Sequence, residues 1–320
     1  MLIKRRRGWE IPESQVTPEH IYLNRRQVIA AGGLAAGSVL LPRMAFAQEA
    51  DPTADLYPAP RNETYMVDRE ITPEDINGHY NNFYEYGTSK SVAGPADAML
   101  ETRPWTVALD GMVEAEQTVD IDTLIRAMPL EERVYRHRCV ETWSMTIPFT
   151  GFPMSALVNY ARPLSGAAYV RMETFYDPGM APLQRQPFYP WPYVEGLTMA
   201  EAMNDLTFLV TGTYGHPMAK VHGAPLRLST PWKYGFKSVK SIVKFTFTDE
   251  RPVSFWEELS DGQEYGFWAN VNPDVPHPRW SQATETILHT GDRVPTLLYN
   301  GYGDYVAAMY EGLEGEMLFR

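Results

Sequence analysis

A single cysteine in 320 residues excludes an internal disulfide and any C-x-x-C metal knuckle. No Gly-rich dinucleotide fingerprint follows a strand pattern and no P-loop occurs, so nicotinamide and nucleoside-triphosphate chemistry lose their usual support. Positive charge is scarce: 28 Lys and Arg stand against 40 Asp and Glu, for a formal net charge of −12. Nucleic acid and anionic lipid both require clustered cations, so neither is expected as a partner. No apolar run reaches the ~20 residues of a bilayer span.

The most apolar stretch covers residues 28–41. It follows the pair Arg25-Arg26 and precedes Arg43 and the small-residue site Ala45-Phe46-Ala47. That is the pattern of a signal peptide cut after Ala47. Paired arginines before a mildly apolar, Gly- and Ala-rich core match the twin-arginine route, which exports folded proteins that often carry a cofactor. The expected organisation is therefore a signal peptide at 1–47 and one catalytic domain at 48–320, working in the periplasm. Removing 1–47 takes away seven basic and three acidic residues and leaves a charge of about −16.

Residues 48–68 carry no period and read as an extended lead-in. Beyond them Trp105, Val107 and Leu109 alternate ahead of Asp110-Gly111, predicting a strand that ends in a turn. Asp122 is placed to cap a helix before Pro129, and 154–161 predicts a second helix. Thr198 and Glu201 fit a capping box opening a third. Residues 206–212 form a compact apolar strand. In the segment at 241–250, Val243, Phe245 and Phe247 should face inward while Lys244, Thr246 and Thr248 face out. Short strands, Gly- and Pro-rich turns and irregularly spaced helices predict an α+β fold with largely antiparallel sheets.

The cysteine sits in "YRHRCVETWS", residues 135–144. Arg136, His137 and Arg138 precede it, and Glu141 follows two residues on. Cationic neighbours favour a thiolate, the form that binds soft metals or attacks electrophiles. In an extended segment Cys139 and Glu141 share a face. Local sequence leaves three readings open: a buried inert thiol, a nucleophile, or a metal ligand. Zinc fits poorly, because the histidines outside the signal, at 79, 137, 216, 222, 277 and 289, form no H-E-x-x-H motif. A cysteine hydrolase would need a histidine base, and no specific spacing supplies one.

Two other stretches stand out. In 222–242 Arg227, Lys233, Lys237 and Lys240 are interleaved with Gly223, Gly235, Trp232, Tyr234 and Phe236, a combination suited to a buried phosphate. A solvated basic loop is the plainer alternative. In "GHYNNFYEYG", residues 78–87, the amides Asn81 and Asn82 sit among aromatics and could pair with a heteroaromatic edge; an ordinary turn explains them equally well.

Taken together and in order, "GHYNNFYEYG", "EERVYRHRCVETWSM", "HGAPLRL", "PWKYGFKSVKSI" and "YGFWANVNPDVPHPRWSQATE" resemble the catalytic subunits of periplasmic protein-methionine-sulfoxide reductases, which are molybdopterin-dependent enzymes with the sulfite oxidase fold. The resemblance runs essentially the whole length of the chain. It implies a single catalytic domain in which Cys139 ligates molybdenum. It also implies molybdopterin contacts from Asn81, Tyr84, Glu85, Thr174, His222, Arg227, Ser238, Val239 and Lys240. Some relatives carry asparagine where His222 stands. Asn82 and Glu141 fall beside the metal, where the family places groups for orientation or proton transfer.

The implied reaction takes the oxygen from a methionine sulfoxide in an oxidised periplasmic protein to a molybdenum centre. A membrane haem subunit fed by quinone restores the electrons. One molybdopterin per chain and a monomeric catalytic subunit are expected. Three other readings remain: an oxidase of the same fold acting on a small anion, for which Arg136 and Arg138 would supply cations; a carrier of the cofactor without turnover; and a metal-free domain with an inert thiol.

Overall fold

Two mixed sheets carry the fold, and the computed structural model describes residues 51–320. The signal-peptide expectation at 1–47 lies outside the described residues. The first sheet runs β2 (Gln117–Asp120), β1 (Thr106–Gly111), β10 (Ile242–Thr248), β5 (Tyr169–Thr174) and β6 (Val194–Thr198). The second runs β12 (Arg293–Pro295), β11 (Thr284–Ile287), β4 (Trp143–Pro153), β7 (Phe208–Thr213) and β8 (His216–Pro217). Two more strands join it, β3 (Glu131–Arg138) on β4 and β9 (Arg227–Ser229) on β7. Among these pairs only β1 with β10 and β11 with β4 are parallel. The expected α+β class with largely antiparallel sheets holds, and residues 51–320 form one compact unit.

Apolar alternation explains why β1 lies where it does. Val107 and Leu109 are fully buried, and Gly111, at φ +78°, turns the chain where a Cβ would lie 2.4 Å from the Phe247 carbonyl. In β10 the expected alternation is shifted by an irregularity between Ile242 and Lys244. Ile242, Phe245 and Phe247 are buried, whereas Val243, at the irregularity, is only half-buried at the edge of the core. Burying each of those phenylalanines contributes roughly 1.5–3 kcal/mol.

The helices match the sequence closely, with one correction. Asp120, not Asp122, caps the helix Ile121–Arg126: its carboxylate accepts from the N–H groups of Asp122 and Thr123. The helix Met154–Ala161 and the Thr198–Glu201 capping box form as expected.

Burial separates into two apolar clusters. One is built on the first sheet and includes Phe83, Tyr193 and Val239; the other surrounds β3 and β4 and includes Cys139, Val140 and Trp143. Residues of both line one cleft.

Candidate active site

The cleft spans about 880 Å³ of empty space and opens to solvent. Ten of the twelve residues singled out from the sequence line it, from Asn81, Asn82, Tyr84 and Glu85 to Cys139, Glu141, Arg227, Ser238, Val239 and Lys240. Thr174 and His222 stand behind the wall instead. Thr174, at the end of β5, donates to the backbone carbonyls of Lys240 and Ser241, and the His222 carbonyl accepts from Arg227 Nη1 at 2.9 Å.

Cys139 leaves the end of β3 in a tight turn rather than continuing the strand. Its N–H donates to the Trp143 carbonyl, its own carbonyl accepts from Thr142 N, and Thr142 takes φ +68°. The expected shared strand face is therefore replaced by a turn that still brings Glu141 Oε2 to 3.6 Å from the Cys139 sulfur. Asn82 Nδ2 and Glu141 N each donate to that sulfur at 3.5 Å. Burial, joined by the Glu141 carboxylate, pushes the thiol up to about 12. Burial would also raise Glu141, but hydrogen bonds from Lys90, Asn82 and Trp143 outweigh it and hold the carboxyl below its usual range.

The turn is gripped from behind. Trp280 Nε1 and Gln282 Nε2 each donate to the Val140 carbonyl at 2.8 Å, and Arg138 Nη1 donates to the Cys139 carbonyl. Arg138, fully buried, also pairs with Glu285 at 3.0 Å, which in turn pairs with Arg69 at 2.8 Å.

The basic stretch divides. Lys233 pairs with Glu201 at 2.5 Å and Lys237 with Glu195 at 2.8 Å, all four sealed from solvent and turned away from the cleft. This corrects the expectation that all four cations serve one anion. Arg227 and Lys240 are left, and they form no ion pair among the described residues. Arg227 donates only to the carbonyls of His222, Leu228 and Ser238, and Lys240 only to those of Asn82 and Val221. Burial pulls Arg227 down to about 10 and Lys240 well below its ordinary value. His137 and His222 are held at about 3, chiefly by burial and then by those two cations. His222 Nε2 is buried without a hydrogen-bond partner. Gly223, at φ +97°, lets Lys240 approach: a Cβ there would lie 2.5 Å from the lysine side chain.

Two buried cations without an ion-pair partner among the described residues and a lone thiol around one cleft, with an orphaned imidazole nitrogen behind its wall, fit an anionic, metal-bearing ligand. A model of the oxidoreductase molybdopterin binding domain matches residues 93–256. The protein-methionine-sulfoxide reductase catalytic subunit MsrP of Burkholderia mallei is 45% identical over 320 residues, 98% of this chain and 96% of that protein.

The chain belongs to the molybdopterin-binding oxidoreductase family.

The crystal structure of the sulfane dehydrogenase SoxCD from Paracoccus pantotrophus is 16% identical, with a TM-score of 0.41 over 58% of this chain and 55% of that one. For a member of this family Cys139, Arg227, Lys240 and Ser238 offer the donor set a molybdopterin requires: one soft sulfur, two cations and a hydroxyl. Sequence reasoning missed Lys90, Asn77, Trp143, Trp256 and Tyr265, and named His137 only as a neighbour of the thiol. Trp143, Trp256 and Tyr265 are ordinary aromatics until the fold brings them to the cleft wall.

The open side of the cleft is aromatic. Tyr84 packs on Trp256 with centroids 4.8 Å apart, Trp256 on Tyr265 at 5.2 Å and Tyr265 on Phe236 at 5.1 Å. Arg136 and Arg138 do not face the cleft: Arg138 is committed to Glu285, and Arg136 packs against the turn at Asn300 and Gly301.

Proposed function

We propose that this chain is the molybdenum-dependent catalytic subunit of a methionine sulfoxide reductase that repairs oxidised periplasmic proteins. In this reading it has a sulfite oxidase fold, is exported by the twin-arginine route and works as a monomer with one molybdopterin. A membrane haem subunit drawing on quinone supplies its electrons. The observation that carries the reading is the Cys139 sulfur in one cleft with Arg227 and Lys240, two buried cations that form no ion pair among the described residues. The name of the Burkholderia relative supports the substrate class.

When bound, the cofactor supplies two-electron oxygen-transfer chemistry at its metal. Cys139 would hold the metal through its thiolate, which the metal's charge brings down from a thiol pushed up to about 12. Arg227 and Lys240 would neutralise the phosphate, with the Ser238 hydroxyl beside them. Asn81, Tyr84 and Glu85 would hold the pterin, and Glu85, raised to about 7 by burial, could present a proton to its heteroaromatic edge. Sulfoxide reduction to a thioether and water takes up two protons with two electrons. Glu141, 35% exposed at its side chain and 3.6 Å from the Cys139 sulfur, would pass protons from solvent toward that sulfur's side of the site.

The aromatic mouth favours a neutral sulfoxide side chain over a small anion. An anion oxidase of the same fold would want free cations there, and Arg136 and Arg138 are turned elsewhere. The test is metal content by plasma mass spectrometry on the mature protein and on Cys139→Ser, with reduced-viologen assays on methionine sulfoxide and sulfite. About one molybdenum per wild-type chain with turnover of the sulfoxide supports the reading. A fully loaded protein without turnover would make it a carrier; sulfite turnover alone would make it an oxidase.

A further inference from the structure

Lys90 is 49 positions before the cysteine in sequence and never touches its sulfur, yet its ammonium lies between the two side chains that do. It donates to Asn82 Oδ1 and pairs with Glu141 Oε2. We propose that Lys90 is a positioning residue: braced on Glu141, it fixes the Asn82 amide in the orientation in which its N–H faces the Cys139 sulfur. The proposal rests on the reading of Cys139 as the thiolate ligand.

A side-chain amide has one accepting and one donating end, and an ammonium can only donate. With Lys90 on Oδ1, the Asn82 Nδ2 must point the other way. It meets Glu141 Oε2 at 3.1 Å and Cys139 Sγ at 3.5 Å. Turned over, the amide would set N–H against ammonium and a carbonyl lone pair against a carboxylate and a thiolate, three repulsions in place of three hydrogen bonds. Glu141 is anchored independently by Trp143 Nε1 at 3.1 Å, so the amide is the group that depends most on Lys90.

The placement is built into the chain. Lys90's carbonyl accepts from Asn81 N at 3.0 Å, closing the loop that follows the amide pair, and Asn82's own carbonyl is held by Lys240 at 2.8 Å. Backbone and amide are thus gripped separately, and only the amide grip depends on Lys90. Hydrogen bonds to a ligating sulfur draw electron density from it and move the potential of the metal it holds. Lys90 acts on the metal through Asn82.

The test uses molybdenum-loaded holoenzyme of wild type, Lys90→Met, Lys90→Arg, Asn82→Ala and the Lys90→Met/Asn82→Ala double variant. Molybdenum content, the Mo(V) paramagnetic resonance spectrum, and kcat and KM for methionine sulfoxide are measured on each. Lys90→Met is expected to keep its molybdenum, to shift the spectrum toward that of Asn82→Ala, and to lower kcat by about tenfold with little change in KM. Lys90→Arg should return all three to wild type. The double variant should match Asn82→Ala, because one acts through the other.

An unshifted Lys90→Met spectrum in a loaded enzyme overturns the role of Lys90 while leaving the ligand reading intact. Additive effects in the double variant, or molybdenum loss that Lys90→Arg does not repair, overturn it as well. A wild type that binds no molybdenum under molybdate-replete expression overturns the underlying reading of Cys139.

Discussion

Lys233 and Glu201 form an ion pair at 2.5 Å with both side chains sealed from solvent, 32 residues apart in sequence. That pair, with Lys237 and Glu195 beside it, commits two of the four cations of the basic stretch to the fold and leaves Arg227 and Lys240, which line the cleft, without an ion-pair partner among the described residues. The partition separates residues that hold the fold from residues that hold a ligand, and each group responds differently to substitution.

Lys233→Met should destabilise the protein by about 3–5 kcal/mol, because it leaves the Glu201 carboxylate buried without its partner. Denaturant unfolding checks the loss. Molybdenum per folded molecule should stay at the wild-type level; a specific fall in metal content at unchanged stability would return Lys233 to the cofactor site.

Arg227→Met should behave in the opposite way. Charge-assisted hydrogen bonds are worth about 1.5–3 kcal/mol each, so losing the contact to a phosphate should cut cofactor affinity by about 10–100-fold. Molybdenum content should fall while the rate per bound metal stays near wild type, as read by parallel metal analysis and viologen assay.

Cys139→Ser changes one buried atom and should leave the far-ultraviolet circular dichroism intact. Reductase activity should drop by more than about 100-fold, beyond what loss of an outer contact costs. Wild-type turnover in the serine variant would remove the thiolate from the chemistry.

His222→Asn tests the imidazole that burial, Lys240 and Arg227 hold at about 3. The unfolded chain protonates this histidine near 6.5 and the folded one does not, so the unfolded state binds more protons between those values and wild-type stability falls as pH drops below 6.5. Asparagine has no such titration. In cofactor-free protein the variant should therefore gain about 2 kcal/mol on wild type between pH 6.5 and 5, measured by urea unfolding at each pH. A constant difference across that range would show that His222 takes up its proton in the folded state.

Much of this was legible in the chain itself. Cys139 and Glu141 announced a site by being a lone thiol and a carboxylate two residues apart, and Asn81, Asn82 and Arg227 by standing in motifs of unusual composition. Strand β1 and the Thr198 capping box followed from period and spacing. What escaped had no local signal. Nothing in 222–242 tells which lysine finds a glutamate 32 or 42 residues upstream, and nothing around Lys90 points to a cysteine 49 residues on. The bulge in β10 that leaves Val243 only half-buried comes from its pairing with β5, and period-two reasoning cannot register an inserted residue.

The grip on the Val140 and Cys139 carbonyls has a consequence for where this enzyme can be cut. The matched family domain spans 93–256 and contains the cysteine, yet Trp280, Gln282 and Glu285 lie past its end, and Asn82 and Lys90 before its start. A transplant of 93–256 into another scaffold would carry the ligand without the parts that aim it. The functional border of the catalytic unit is therefore wider on both sides than the border of the recognisable domain.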